Sequence, residues 1–210
     1  MEASLSLREK LLVAIGKNLP PEIADDVIIA LLQDPKRLRE VLKETLTKSL
    51  VSQPKSFRTI ILGTYESEVT LVRVLKASGF RIGHWADDLI RKPRFTMSPR
   101  KTEVLLAVAS VTDLGFRTGG SYRDICARAL ELGLEFCPAE VGPQLRLQYD
   151  DQPFGEWLRV AMEPILDSDG HPGIFTVCRD YIEPWLRGSN AGRPETRYGP
   201  NERFVFVLPK

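Results

Sequence analysis

The chain has 210 residues, 43% hydrophobic and 27% charged, with 29 Lys and Arg against 28 Asp and Glu and a formal net charge of +1. These proportions are those of a globular protein with its own core, and they exclude a disordered tail, a collagen-like fibre and a disulfide scaffold. The near-neutral balance also argues against a general polyanion binder, which carries a strongly basic face.

The first fifty residues read as three short amphipathic helices. Leu7, Leu11, Leu12 and Ile15 share one face of the first, which Gly16 and Asn18 close before Pro20-Pro21. Ile23, Val27, Ala30 and Leu31 recur at helical spacing in the second. Asp34-Pro35 opens the third as an N-cap followed by proline, and Leu38, Val41, Leu42 and Leu46 continue its apolar face. The polar break Ser52–Ser56 then separates a helical segment, residues 1–51, from a main domain, residues 57–210.

In that domain Phe57–Leu62 reads as a strand, with Gly63-Thr64 turning it into a helix that runs to about Ser78 and is capped by Gly79. A short helix carries Trp85, Leu89 and Ile90, and Glu103–Val111 has the length and β-branched content of a buried strand. Ser121-Tyr122-Arg123-Asp124 opens a capped helix through Leu132, with Gly133 just past its end. Beyond Leu134 short alternating segments take over. Leu145, Leu147 and Tyr149 alternate with Arg146 and Gln148 as in a half-buried strand. Trp157–Met162, Gly173–Cys178 and Phe204–Leu208 read as further strands, with Asp167–Gly170 as a hairpin turn and Arg187–Asn201 as a long surface loop. The expected fold class is α+β: a helical N-terminal segment, then an α+β domain with a mainly antiparallel C-terminal sheet.

Met1–Lys10 lacks the basic-then-apolar pattern of a secretory signal. Apolar runs such as Val27–Leu32 fall far below the ~20 residues that cross a bilayer. Cys126, Cys137 and Cys178, an odd number without Cys-x-x-Cys spacing, read as reduced thiols. A cytoplasmic protein with no membrane contact is expected.

The stretches Gly79–Leu89, Ala127–Tyr149 and Gln152–Ile165, followed by Asp-Ser-Asp-Gly and a closing Phe-Val-Phe-Val, resemble a family of bacterial proteins of unknown function, found mostly in metagenomic and candidate-phylum genomes. The resemblance covers roughly residues 57–210. It implies a bacterial origin and one recurring domain, and it brings no activity and no catalytic residue.

The chemistry-bearing residues give three readings. P-loop, dinucleotide-binding, zinc-protease and nucleophile-elbow motifs do not occur, and there are only two histidines. The first reading is therefore a non-enzymatic binding or interaction protein without a cofactor. Its sheet would present Trp157, Trp185, Tyr181 and Tyr198 as a groove to a protein partner or small ligand, with Arg146 and Glu156 as further ligand-binding residues that form a cross-strand ion pair if they face each other on adjacent strands. The N-terminal helices would make it a homo-oligomer. A second reading is nucleic-acid binding through Arg91, Lys92, Arg94, Arg100 and Lys101, with Phe95 stacking on a base. A third is a hydrolase or transferase that uses carboxylates and arginines of the sheet, such as Glu135, Glu140, Arg146, Glu156, Arg159 and Glu163. Two glycine-containing helix starts, Gly63-Thr64 and Gly119-Gly120-Ser121, would offer backbone N–H groups to an anion. His84 with Asp87 and Asp88 is too sparse for a closed metal site.

Overall fold

The computed structural model describes residues 55–180 and 182–209, together with Gln33, Asp34, Lys36, Arg37 and Glu40. The chain divides into two compact units, Met1–Leu50 and Val51–Lys210. The three N-terminal helices fall outside the described residues except at the third helix start. There Asp34 Oδ1 accepts from the backbone N–H of Lys36 at 3.0 Å and of Arg37 at 3.1 Å, as an N-cap does.

In the second unit the elements run β1 (Lys55–Leu62), α1 (Glu68–Ala77), β2 (Arg81–Ile82), α2 (His84–Ile90), β3 (Thr102–Ser110), β4 (Gly120–Ser121) and α3 (Tyr122–Glu131). They continue with α4 (Val141–Gln148), β5 (Trp157–Val160), β6 (Ile165–Leu166), β7 (Pro172–Arg179), β8 (Pro184–Ser189), β9 (Arg197–Tyr198) and β10 (Arg203–Val207). One sheet takes the order β1-β3-β10-β5-β7-β8-β2, with β6 added to β7, and β4 and β9 form a separate pair. Its pairings are antiparallel except β10–β5 and β2–β8. The fold is α+β around a mainly sheet core. The early strands β1 and β3 belong to the same sheet as the late ones, because β10 returns to lie between β3 and β5.

Local signals set several boundaries. Ser67 caps α1 through the N–H of Thr70, so that helix starts five residues after Gly63, and the intervening residues form a turn. Ser121 Oγ accepts from Asp124 N–H to open α3, and Asp167 Oδ1 accepts from the N–H groups of Asp169 and His171 to shape the β6–β7 hairpin.

Two expectations fail for a physical reason. Leu145, Leu147 and Tyr149 lie not on a strand but on or just beyond α4. Val141, Leu145 and Tyr149 are spaced four apart, so five residues satisfy either period. The helix touches β1, β7, β8 and α1 and is buried from Val141 through Arg146, which removes the one-sided polarity that marks a surface helix. Likewise Arg187–Asn201 is not one loop. Its start belongs to β8, where Gly188 lies against α2: a Cβ there would sit 2.6 Å from Ala86 N.

Strand alternation divides the sheet into two faces. Phe175 and Val177 of β7 point toward α4, where Gly142 leaves room for the Phe175 ring. The row of Phe204, Arg159, Thr176 and Arg187 points the other way, toward α3, whose Tyr122 ring lies 6.1 Å from Phe204. On the α4 side a fully buried carboxylate, Glu140, accepts from Gly63 N–H at 2.8 Å, Ser98 N–H at 2.7 Å and Gln144 Nε2 at 2.9 Å. It ties the end of β1 and the 98–101 turn to the start of α4.

Gly63 (φ +65) and Gly79 (φ +80) both need the left-handed region, but only Gly63 is crowded: a Cβ would fall 2.2 Å from Arg100 O, whereas at Gly79 nothing lies within 4 Å. Gly79→Ala is expected to lower the unfolding free energy by about 1–2 kcal/mol, the backbone strain alone. Gly63→Ala is expected to lower it by about 3 kcal/mol or more. Equal urea midpoints for the two variants would refute the assigned packing.

Candidate ligand-binding face

Trp157 of β5 pairs with Cys178 of β7, which pairs with Trp185 of β8, so the two indoles flank one buried thiol on the face opposite α4. Two residues along, Arg159, Thr176 and Arg187 form the next row. The Arg187 guanidinium lies 4.4 Å from the Trp185 ring centroid and 5.2 Å from that of Trp157, an arginine stacked on two indoles. Arg187 Nη2 also reaches Asp180 Oδ2 at 3.3 Å. Asp180 accepts from the N–H groups of Glu183 and Ile182, which hold its carboxyl below the usual range and fix the β7–β8 turn. Burial raises all three thiols, Cys126 to about 12, so each is held protonated and is a poor nucleophile.

Beside this row opens a cleft of about 720 Å³. Because β5 and β10 run parallel, both begin at the same end of the sheet, and the segments leading into them form the cleft walls. Phe154 and Trp157 supply exposed rings. Two ion pairs supply the polar lining. Arg203 Nη1 lies 2.5 Å from Glu156 Oε1, and Arg159 pairs with Glu202. Glu156 is held from behind, since its Oε2 accepts from Tyr149 OH at 2.7 Å and Gln152 Nε2 at 3.3 Å. Burial and this bond to Glu156 push the Tyr149 phenol upward, so it stays a donor.

The residues singled out in the sequence divide sharply. Trp157, Trp185 and Glu156 come together on this face and cleft, while Tyr181 lies outside the described residues. Arg146 does not face Glu156. It is fully buried in α4, with its guanidinium donating to Gln152 Oε1, Tyr149 O and, at 3.3 Å, Cys178 O, and lying 4.8 Å from the Phe80 ring. Gln152 stands between the two charges, and burial lowers the Arg146 pKa to about 10. A side chain so enclosed serves the fold and cannot touch a ligand.

Two of the five residues of the basic run are engaged in ion pairs, and its aromatic is buried. Arg91 pairs with Asp87 at 2.8 Å, Lys92 with Asp88 at 3.0 Å, and Phe95 is buried edge-on to Phe175 rather than open to a base. Arg94, Arg100 and Lys101 are exposed. At Gly119-Gly120-Ser121 the amides at the α3 start are already used: Tyr122 N–H donates to Thr196 O, Arg123 N–H to Pro194 O and Asp124 N–H to Ser121 Oγ. Gly63 N–H is likewise taken by Glu140. The α3 start therefore keeps none of these three amides for an anion, and Gly63 stands five residues ahead of its helix. His84 stacks edge-on against Trp85, and its neighbours Asp87 and Asp88 are bound to the basic pair. Among the described residues, no helix is long and apolar enough to cross a membrane.

Comparisons with protein-family models, curated proteins and solved structures found no match to this chain.

Sequence reasoning missed Phe154, Glu202, Arg203 and the role of Arg187. The signal was the i,i+2 alternation of aromatic and arginine, Trp157-x-Arg159 and Trp185-x-Arg187, which puts ring and guanidinium on one face of a strand. Arg146→Ala and Arg146→Lys are both expected to lower stability by about 3 kcal/mol or more, since each strands buried acceptors that only the planar fork spans. A lysine variant of wild-type stability would contradict this role.

Asp88 and Asp180 titrate below the ordinary value of 3.8 when folded, Asp88 because Ser168 and Lys92 hold its carboxylate. Their contribution is complete above that value and lost as pH falls through the lower folded values. Asp88→Asn and Asp180→Asn should therefore be less stable at neutral pH and lose less stability between pH 4 and 2, as measured by urea unfolding across pH.

Proposed function

We propose that this chain is a non-enzymatic binding protein of bacterial origin. It presents the β5–β7–β8 face and the adjoining cleft to a small ligand or protein partner. The observation that carries this reading is the Trp157–Arg187–Trp185 stack. Two partly exposed indoles and a guanidinium are fixed on paired strands rather than on loops, at the edge of a cleft. Large rigid aromatics and arginine are the side chains that supply most binding energy per contact. The buried protonated thiols and the paired cleft carboxylates support binding over nucleophilic or acid–base chemistry. The resemblance of residues 57–210 supports the bacterial origin, and three buried free thiols suit a reducing compartment such as the cytoplasm. The amphipathic N-terminal helices are proposed to mediate self-association.

A thermal-shift screen of the full chain tests the binding role, because any ligand that prefers the native state raises the melting temperature. Trp185→Ala loses about 0.5–1 kcal/mol of cation–π energy together with the buried part of the ring's apolar surface, while abolishing the shift given by each ligand that hits. A lowered melting temperature with every ligand shift retained would assign Trp185 to packing. A full chain that is monomeric by light scattering at high concentration would refute self-association.

A further inference from the structure

We propose that the cleft at the start of β5 and β10 takes a neutral polyhydroxylated ligand, a short oligosaccharide. The inference rests on the binding role proposed above and names the chemistry of its occupant.

The charge arrangement decides the class. In the Glu156–Arg203 pair the carboxylate side chain is 10% exposed and the guanidinium 42%. In the Arg159–Glu202 pair the order reverses, with the guanidinium at 19% and the carboxylate at 37%. Each pair is anchored by its less exposed member and leaves the side chain of opposite charge the more exposed of the two. The cleft therefore offers one guanidinium donor and one carboxylate acceptor, each already neutralised from behind. An anionic ligand would gain Arg203 only by competing with Glu156, and would bring its charge close to Glu202. A purely apolar ligand would strip water from both pairs and replace none of its hydrogen bonds. Both groups line the cleft, and the hydroxyls along an oligosaccharide, which donate as well as accept, can bond to each of them at no net charge.

The apolar lining fits the same occupant. Phe154 and Trp157, 62% and 41% exposed, both line the cleft. Each has a guanidinium against one side of its ring: Arg179 lies 4.2 Å from the Phe154 centroid and Arg187 5.2 Å from that of Trp157. Both rings keep exposed surface in the cleft, which is what the C–H face of a sugar ring packs against. The cleft volume, about 720 Å³, lies within the range of small-molecule sites and admits more than one sugar unit.

The test titrates the full chain with neutral cello-, xylo-, malto- and chito-oligosaccharides, followed by saturation-transfer NMR and tryptophan fluorescence. A single-stranded oligonucleotide and inorganic polyphosphate serve as anionic probes. At least one oligosaccharide is expected to bind with little dependence on salt, because no counterions are released. Phe154→Ala and Trp157→Ala, both at exposed positions, should each weaken it tenfold or more with the circular-dichroism spectrum unchanged. Glu202→Gln should weaken it while the anionic probes remain without affinity. If the oligosaccharides fail and an anionic probe binds in a Trp157-dependent, salt-sensitive manner, the ligand class is wrong and the binding role stands. If oligosaccharide binding survives in both aromatic variants, the cleft is not its site. If neither probe set binds in a way that depends on Trp157, and the ligand screen gives no shift dependent on Trp185, both proposals fall.

Discussion

A guanidinium sealed from water has to find acceptors inside the protein, and the cleft end of the sheet is arranged around one such group. Arg146 reaches from α4 to Tyr149 O, to Gln152 and to Cys178 O on β7. Two backbone carbonyls and the Gln152 side-chain oxygen accept the bonds of its two terminal nitrogens, while its Nε is buried without a partner. Burial without a direct counter-ion lowers the Arg146 pKa to about 10, which still leaves it charged at neutral pH. The segment between α4 and β5 therefore cannot drift from β7 without exposing a buried cation to an unmatched interior. Gln152 carries that constraint outward. Its amide donates to Val177 O and to Glu156, and Glu156 in turn orients Arg203 at the cleft.

Glu140 is the counterpart at the other end of α4. It is wholly buried and satisfied by two backbone N–H groups and Gln144 rather than by a cation. One short helix thus carries two buried charges of opposite sign, each neutralised by dipoles. This is also why α4 was not legible. A pattern reader expects charges at 140 and 146 to mark a wet face, and alternation of Leu145, Arg146 and Leu147 to mark a strand. The burial of both charges is visible only once β1, β7 and the 98–101 turn supply their partners, and those lie 40 or more positions away for Glu140 and up to 32 for Arg146.

What could be read without those partners was read well. The caps at Ser121 and Asp34, the glycine ends at Gly79 and Gly133, the Asp167–Gly170 hairpin and the strands around Phe57–Leu62, Gly173–Cys178 and Phe204–Leu208 are local, and each depends on residues a few positions apart. The aromatic half of the site belongs with them, since Trp157 and Trp185 stand on alternating segments. The arginine half does not. Arg187 meets Trp157 only through the registers β5–β7 and β7–β8, and Arg203 meets Glu156 only because β10 inserts beside β5. Strand order is a tertiary decision that alternation along one strand does not encode.

The ion pairs at the cleft make a weak device for holding the fold. Partly exposed pairs of this kind contribute about 0–1 kcal/mol, whereas the core around Phe175, Phe204 and Phe206 is fully enclosed. Their larger effect is geometric. A carboxylate gripped by Tyr149 and Gln152 fixes where its arginine points, and an arginine 5.0 Å above the Tyr198 ring fixes where Glu202 points. The less exposed and stacked partners leave the outer members, Arg203 and Glu202, as a donor and an acceptor with restricted rotamers. The entropy that a flexible surface pair would lose on binding has been lost on folding, and the cost falls on a core that tolerates it because Arg146 and Glu140 lock the framework behind.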